Sequence, residues 1–131
     1  MKDQHTRELH GYIFEIQSFS PENVQDADLL NQHLIRLTNI MARANTLMAE
    51  WNKKFREEKK QAYHTLELSM KAQEKKIIPS LAKDYVDSKC SETGYVFDLA
   101  ERCSRLCSHT IDAIRTVVSS LKSEREFAKL N

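Results

Sequence analysis

The chain has little of what interrupts helices. Its 131 residues include two glycines, Gly11 and Gly94, and two prolines, Pro21 and Pro79. So few turn formers exclude a hairpin-rich β-fold and leave a few long helices as the natural reading. They also exclude a glycine-rich phosphate loop. Long apolar runs are missing too: nothing approaches the roughly 20 residues that a bilayer-spanning helix requires, and no membrane association is expected. The opening stretch, MKDQHTREL, lacks the apolar core of a secretory leader. Cysteine is scarce and odd in number, at three, which fits free thiols in a reduced, cytoplasmic setting better than a disulfide framework.

What the chain has is apolar periodicity. Between Leu30 and Phe55, apolar residues recur in steps of four and three: Leu30, Leu34, Leu37, Met41, Ala44, Met48, Trp51 and Phe55. A heptad pattern of this length marks a helix laid against other helices. Ile40 and Leu47 widen the stripe, so this helix is expected to touch more than one neighbour. Past Phe55 the seam breaks and the sequence turns basic, with Lys53, Lys54, Arg56, Lys59 and Lys60, then Lys71, Lys75 and Lys76. Net charge is only +1, but it is unevenly spread. Residues 1–32 carry two bases and six acids, residues 33–79 carry ten bases and five acids, and the remainder balances at eight each. A local basic stripe on a near-neutral chain suits a polyanion on one face. Interspersed acids, as in Glu50–Lys54 and Glu67–Lys71, equally suit a solvated helix surface.

These patterns predict an all-α fold: one domain over 1–131, a long-helix bundle or coiled coil with a short N-terminal segment, oligomerising through the C-terminal helix. Residues 1–25 form the N-terminal segment, in which Leu9, Tyr12, Ile13 and Ile16 suit a helix and the alternation Tyr12, Phe14, Ile16 suits a strand; Ile13, Phe14, Ile16 and Phe19 must be buried in either case. Residues 26–78 form the long helix, basic in its second half. Unbroken, it would extend roughly 80 Å, which argues for covering helices from other subunits or a bend near Gln61–Leu66. Pro79 ends it. Ser80 caps a short helix over 80–92 with Leu81, Tyr85 and Val86 on its apolar face, and Gly94 separates it from a last helix over 95–128. That helix carries two seams, one through Val96, Leu99, Cys103, Leu106, Thr110, Ala113 and Val117, the other through Cys107, Ile111, Ile114, Val118 and Leu121. Two seams imply two partners, one within the chain and one in another copy.

Catalytic signals are weak. Cys103 and Cys107 share a helix face, but zinc requires four convergent ligands, usually as two close pairs; Cys90, His64 and His109 do not supply the second pair. Both cysteines fall within the apolar stripe, where a thiol acts as a small hydrophobe. Glu57–Glu58 and Glu124–Glu126 lie among lysines and arginines and read as solvated charge rather than an acid–base pair. No enzyme activity, metal or cofactor is expected. The basic stripe with nearby aromatics is the remaining functional signal, since phosphate neutralisation combined with base stacking is how single strands are held. Trp51 and Phe55 sit on the seam and are expected in the core, leaving Tyr63 and His64 as stacking candidates.

The order of features resembles the UvsY-type recombination mediator proteins of tailed bacteriophages. The similarity rests on the long helix with its Ala44-Asn45-Thr46-Leu47-Met48 stretch, on Lys59-Lys60-Gln61-Ala62, and on a final helix with Leu106-Cys107-Ser108 followed by Asp112-Ala113-Ile114 and Ser119-Ser120-Leu121-Lys122-Ser123-Glu124. It covers about residues 26–126. The resemblance implies a non-catalytic, ring-like homo-oligomer in the host cytoplasm. Such a protein binds single-stranded DNA and helps load a RecA-like recombinase onto DNA coated by single-strand-binding protein. It implies DNA contacts at Lys53, Lys54, Arg56, Lys59 and Lys60, and assembly through Ile111, Ile114, Val117, Val118 and Leu121. The family has basic residues just after the Lys-Lys-x-Ala stretch, where this chain has His64 and Leu66; His64 with Lys71, Lys75 and Lys76 completes the expected DNA surface. The competing reading is a structural or chaperone-like coiled-coil oligomer that binds a protein partner through the same apolar anchors. A third, a thiol switch or metal sensor, rests on Cys103 and Cys107 alone.

Overall fold

Asp26 starts the element around which the rest is packed. In a computed structural model of the protein, which describes residues 1–130, its carboxylate accepts hydrogen bonds from the backbone N–H groups of Asp28 and Leu29, at 2.9 and 3.4 Å. This satisfies amides that an uncapped helix start leaves without partners. The helix that follows, α2 (Ala27–Ala72), runs 46 residues without a break, about 69 Å at 1.5 Å per residue. Before it come α1 (Lys2–Gln17) and a 3₁₀ turn at Pro21–Asn23; after it come α3 (Pro79–Lys89) and α4 (Ser91–Leu130). No strand occurs among the described residues, and Asn131 lies outside them.

The long helix stops at Ala72, six residues before the expected end. Glu74 takes a left-handed backbone, φ 55°. The Glu74 N–H reaches the Lys71 carbonyl at 3.1 Å and the Lys75 N–H reaches the Met70 carbonyl at 2.9 Å. This is a Schellman closure with glutamate in the place usually held by glycine. Pro79 therefore begins α3 rather than ending α2. It occupies a first-turn position behind an extended Ile78, as proline's fixed φ and missing N–H favour, and Ile78, not Ser80, is the N-cap. Gly94 is a second correction. It lies inside α4, buried, because the break between α3 and α4 falls at Cys90. A Cβ on Gly94 would come within 3.0 Å of the Phe55 ring, so this glycine lets α4 approach α2 closely.

Residues 2–17 are helical, which decides between helix and strand. His5, Leu9 and Ile16 are buried and Ile13 and Phe19 are half-buried, whereas Phe14 is 74% exposed because it falls on the opposite side of the helix turn.

Cross-helix partners fix the directions. Glu58 pairs with Thr93 and Asn45 with Ser104, so α2 and α4 are antiparallel. Arg36 grips Glu15 and Arg43 grips Glu8, so α1 is antiparallel to α2. Helix α1 fills the groove between the first half of α2 and the body of α4, and α3 continues the line of α4 back along the second half of α2. The sequence argues for covering helices from other subunits or a bend near Gln61–Leu66; here α2 runs through that stretch as one helix, and α4 and α3 together follow it from the same chain.

The core is one cluster in the three-helix half. Leu9, Leu30, Ile40, Leu47, Val96 and Ile114 are at most 1% exposed, and burying each such side chain contributes about 1.5–3 kcal/mol. Trp51 closes its lower end, donating its indole N–H to His5 Nδ1 at 2.9 Å; both residues are buried. The second seam of α4 is used here as well. Ile111 and Ile114, expected from the sequence at an assembly surface, are 7% and 0% exposed within a single chain, inside the cluster that α1, α2 and α4 share. Val117, Val118 and Leu121 are only half-buried.

Candidate functional site

Beyond Trp51 the chain changes character. No residue of α2 after Trp51 is fully buried, and α3 buries only Ala82 and Val86. The expected apolar face of α3 is thus shifted: Ala82 and Val86 meet α2, while Leu81 is 62% exposed. The result is a two-helix arm formed by the second half of α2, the link over 73–78, and α3.

Two concavities run along this arm and meet at Ile77. One, about 610 Å³, is lined by Lys59, Lys60 and Tyr63 of α2 and by Pro79, Ala82, Lys83, Val86 and Asp87 of α3. The other, about 650 Å³, is lined by His64, Glu67, Leu68, Met70 and Lys71 of α2 and by Lys75 and Lys76 of the link. Six of the nine residues predicted to meet DNA therefore come together: Lys59, Lys60, His64, Lys71, Lys75 and Lys76. The link brings Lys75 and Lys76 back beside α2 because the Schellman closure reverses the chain there.

Lys53, Lys54 and Arg56 stand apart, on the last turns of the bundle half. The Lys54 ammonium lies 4.3 Å from the Trp51 ring centroid and 3.4 Å from Glu50 Oε1. Arg56 Nε donates to Asn52 Oδ1 at 3.4 Å. Lys59, although it lines the first concavity, also sits 4.6 Å over the Phe55 ring. Lys83 was missed from sequence. Its signal was present, one residue after Ala82 on the short helix, but it needed the correct face of α3 to be read.

The charges of the two halves are handled differently in part, since Arg7, Lys53, Arg102 and Arg115 of the bundle also form no ion pair among the described residues. In the bundle, Lys2, Arg36, Arg43, Lys54 and Arg105 each have a carboxylate partner. Bidentate contacts from Arg43 lower the Glu8 carboxyl below its ordinary range. In the arm, among the described residues, Lys60, Lys71, Lys75, Lys76 and Lys83 form no ion pair. Of the acids interspersed along α2, Glu50 pairs with Lys54, Glu58 accepts the Thr93 hydroxyl and Glu67 pairs with no lysine within 4 Å.

The cysteines are free and buried. Burial pushes the Cys90 thiol up, with Glu58 adding to it; the hydrogen bond with Cys107, and then burial, push Cys103 up. The same hydrogen bond lowers Cys107, but all three thiols are buried and none lines either concavity. Among the described residues no group of three or more histidine, cysteine or acidic side chains is placed to hold a metal ion, and no helix is long and apolar enough to cross a membrane. Comparison of the chain with protein-family models, with curated proteins and with solved structures finds no match.

Proposed function

We propose that the protein is a non-catalytic binder of single-stranded DNA whose binding surface is the arm. The observation that carries this reading is a set of five lysines, Lys60, Lys71, Lys75, Lys76 and Lys83, gathered along two joined concavities without ion-pair partners. Lysines gathered without ion pairs repel one another, Glu67 and Asp87 offsetting part of this, and a polyanion relieves the repulsion while releasing its own condensed counterions. The resemblance to the UvsY-type mediators gives the finer form: loading of a RecA-like recombinase onto DNA coated by single-strand-binding protein, from a homo-oligomer.

Assembly has its own support. The last nine described residues of α4, 122–130, are all exposed, and they follow the half-buried Val117, Val118 and Leu121. Phe127 and Leu130 are 68% and 85% exposed. This overhang, rather than Ile111 and Ile114, is the surface through which copies would join, and repetition of the arm around an oligomer would multiply weak phosphate contacts into avidity. The same overhang would serve the competing function, a coiled-coil scaffold for a protein partner.

The test is binding of a fluorescent poly-dT oligonucleotide, titrated with salt, to protein whose assembled mass has been measured by sedimentation. Binding should weaken steeply with salt. The triple variant Lys60→Glu, Lys71→Glu, Lys76→Glu should bind at least a hundredfold more weakly, about 2.7 kcal/mol, and retain the wild-type mass and helicity. Well-formed oligomers that ignore the oligonucleotide in low salt would leave the scaffold reading.

A further inference from the structure

Phosphate contacts alone do not separate a single strand from a duplex, since both present the same anionic backbone. We infer that the concavity between α2 and α3 seats one unpaired base against the Tyr63 ring, and that this seat gives the arm its preference for single strands. The inference rests on the nucleic-acid reading above and adds the group that recognises the base.

Of the other rings near the basic residues, His64 is exposed on the second concavity, where no apolar helix-to-helix floor lies beneath it, and the rest are occupied. Trp51 is buried and bonded to His5, with Lys54 over its face. Phe55 lies beneath Lys59 and edge-on to Phe97, 6.2 Å between centroids. Tyr85 carries Lys89 at 5.6 Å. Tyr63 is 43% exposed and lines the concavity whose floor is apolar, from Ile77, Ala82 and Val86. Lys60 of α2 and Lys83 of α3 line the same concavity.

An apolar floor with an aromatic wall and two flanking cations matches a nucleotide: the base stacks on the ring while the adjoining phosphates meet the ammonium groups. Asp87, also on α3, repels phosphate from its own end of the concavity. That directs the strand toward Ile77, where the second lysine-lined concavity begins. A base held in a duplex stack cannot reach the ring without being unpaired, a cost of a few kcal/mol. The preference for single strands therefore needs no base-specific hydrogen bond, and every base, having a π-face, is accepted.

The deciding comparison sets a dT 20-mer against a 20-mer of abasic sites, which keeps the phosphates and removes the bases. Wild-type protein should bind the dT strand roughly five- to a hundredfold more tightly, the range that stacking of one base on an aromatic ring supplies. Tyr63→Ala should lose that ratio while keeping wild-type affinity for the abasic strand, and Tyr63→Phe should retain it. Tyr63 is half-exposed on a helix surface, and circular dichroism of the alanine variant should match the wild type. If the wild-type protein binds both strands equally in low salt, the stacking seat is overturned and the phosphate surface stands. If it binds neither, both readings fall. If Tyr63→Ala keeps the wild-type ratio, the seat is elsewhere and the assignment is wrong. Displacement of the dT strand by polyglutamate from wild-type protein, but not from Tyr63→Ala, would give the concavity to an acidic peptide and overturn the proposal.

Discussion

The two halves of α2 are one continuous helix, yet they are built for different ends. From Ala27 to Phe55 the helix packs against α1 and α4, and every third or fourth residue turns into a shared core. From Arg56 to Ala72 it meets α3, which buries two small side chains. In the first half Arg36, Arg43 and Lys54 pair with carboxylates; the second gathers lysines that have none within 4 Å. Stability is thus concentrated at one end and unspent charge at the other. Because the helix is unbroken, the rigid end holds the charged end at a fixed distance from the core.

The two halves should differ most in what a leucine contributes. Leu47 is fully buried in the bundle and Leu66 is half-buried in the arm. Leu47→Ala should lower the unfolding free energy by about 2–5 kcal/mol, through lost transfer energy plus the cavity left behind. Leu66→Ala should cost about 1 kcal/mol or less, since its surroundings are partly solvent already. Urea titration followed by circular dichroism measures both. Equal losses would mean that the arm is as tightly packed as the bundle.

A smaller effect distinguishes the halves by pH. Arg43 holds the Glu8 carboxyl below its ordinary value of 4.5. A depressed carboxyl contributes stability that is fully present above the unfolded value and is lost as pH falls through the folded one. Docking of α1 should therefore weaken below about pH 4.5, by about 1 kcal/mol once screening at the partly exposed Arg43 is allowed for. Trp51, the single tryptophan, reports it, because its indole N–H is bonded to His5 of α1. Replacing Glu8 with Gln should remove the acid dependence of the tryptophan signal. Persistence of that dependence would place its origin elsewhere.

How much of this could be read from residues alone follows from the same division. The seam from Leu30 to Phe55 was legible because apolar spacing reports burial wherever a helix is covered over a wide face. The two seams of α4 were legible as seams, but not their partners. Periodicity states that a face is buried and is silent on whether α1 or another copy buries it, and α1 was itself ambiguous between helix and strand. The end of α2 was hidden because its stop signal is a glutamate in a left-handed conformation that glycine usually supplies. Gly94, the residue that looked like a stop, is instead a point of close approach to Phe55. The basic residues could be listed from sequence. That Lys75 and Lys76 return beside Lys71, and that Lys83 lines one concavity with Lys60, depended on that unread turn.

The smallest effect belongs to that turn and tests whether the arm is a unit of its own. A non-glycine residue in the left-handed region costs roughly 1–2 kcal/mol, and the Glu74 carboxylate also lies at the C-terminal end of α2, where the helix dipole disfavours negative charge. Glu74→Gly removes both penalties and adds unfolded-state entropy that offsets part of the gain, for a net stabilisation of about 0.5 kcal/mol. If the arm opens locally, as its thin packing implies, the gain should appear as slower amide hydrogen exchange over residues 62–72 with an unchanged urea midpoint. If the midpoint rises instead, the helix unfolds as one body and the division is one of charge alone. The same substitution removes a carboxylate beside Lys75 and Lys76, so affinity for poly-dT should rise slightly. A fall in affinity would mean that the arm's shape, set by the strained turn, matters more to binding than its charge.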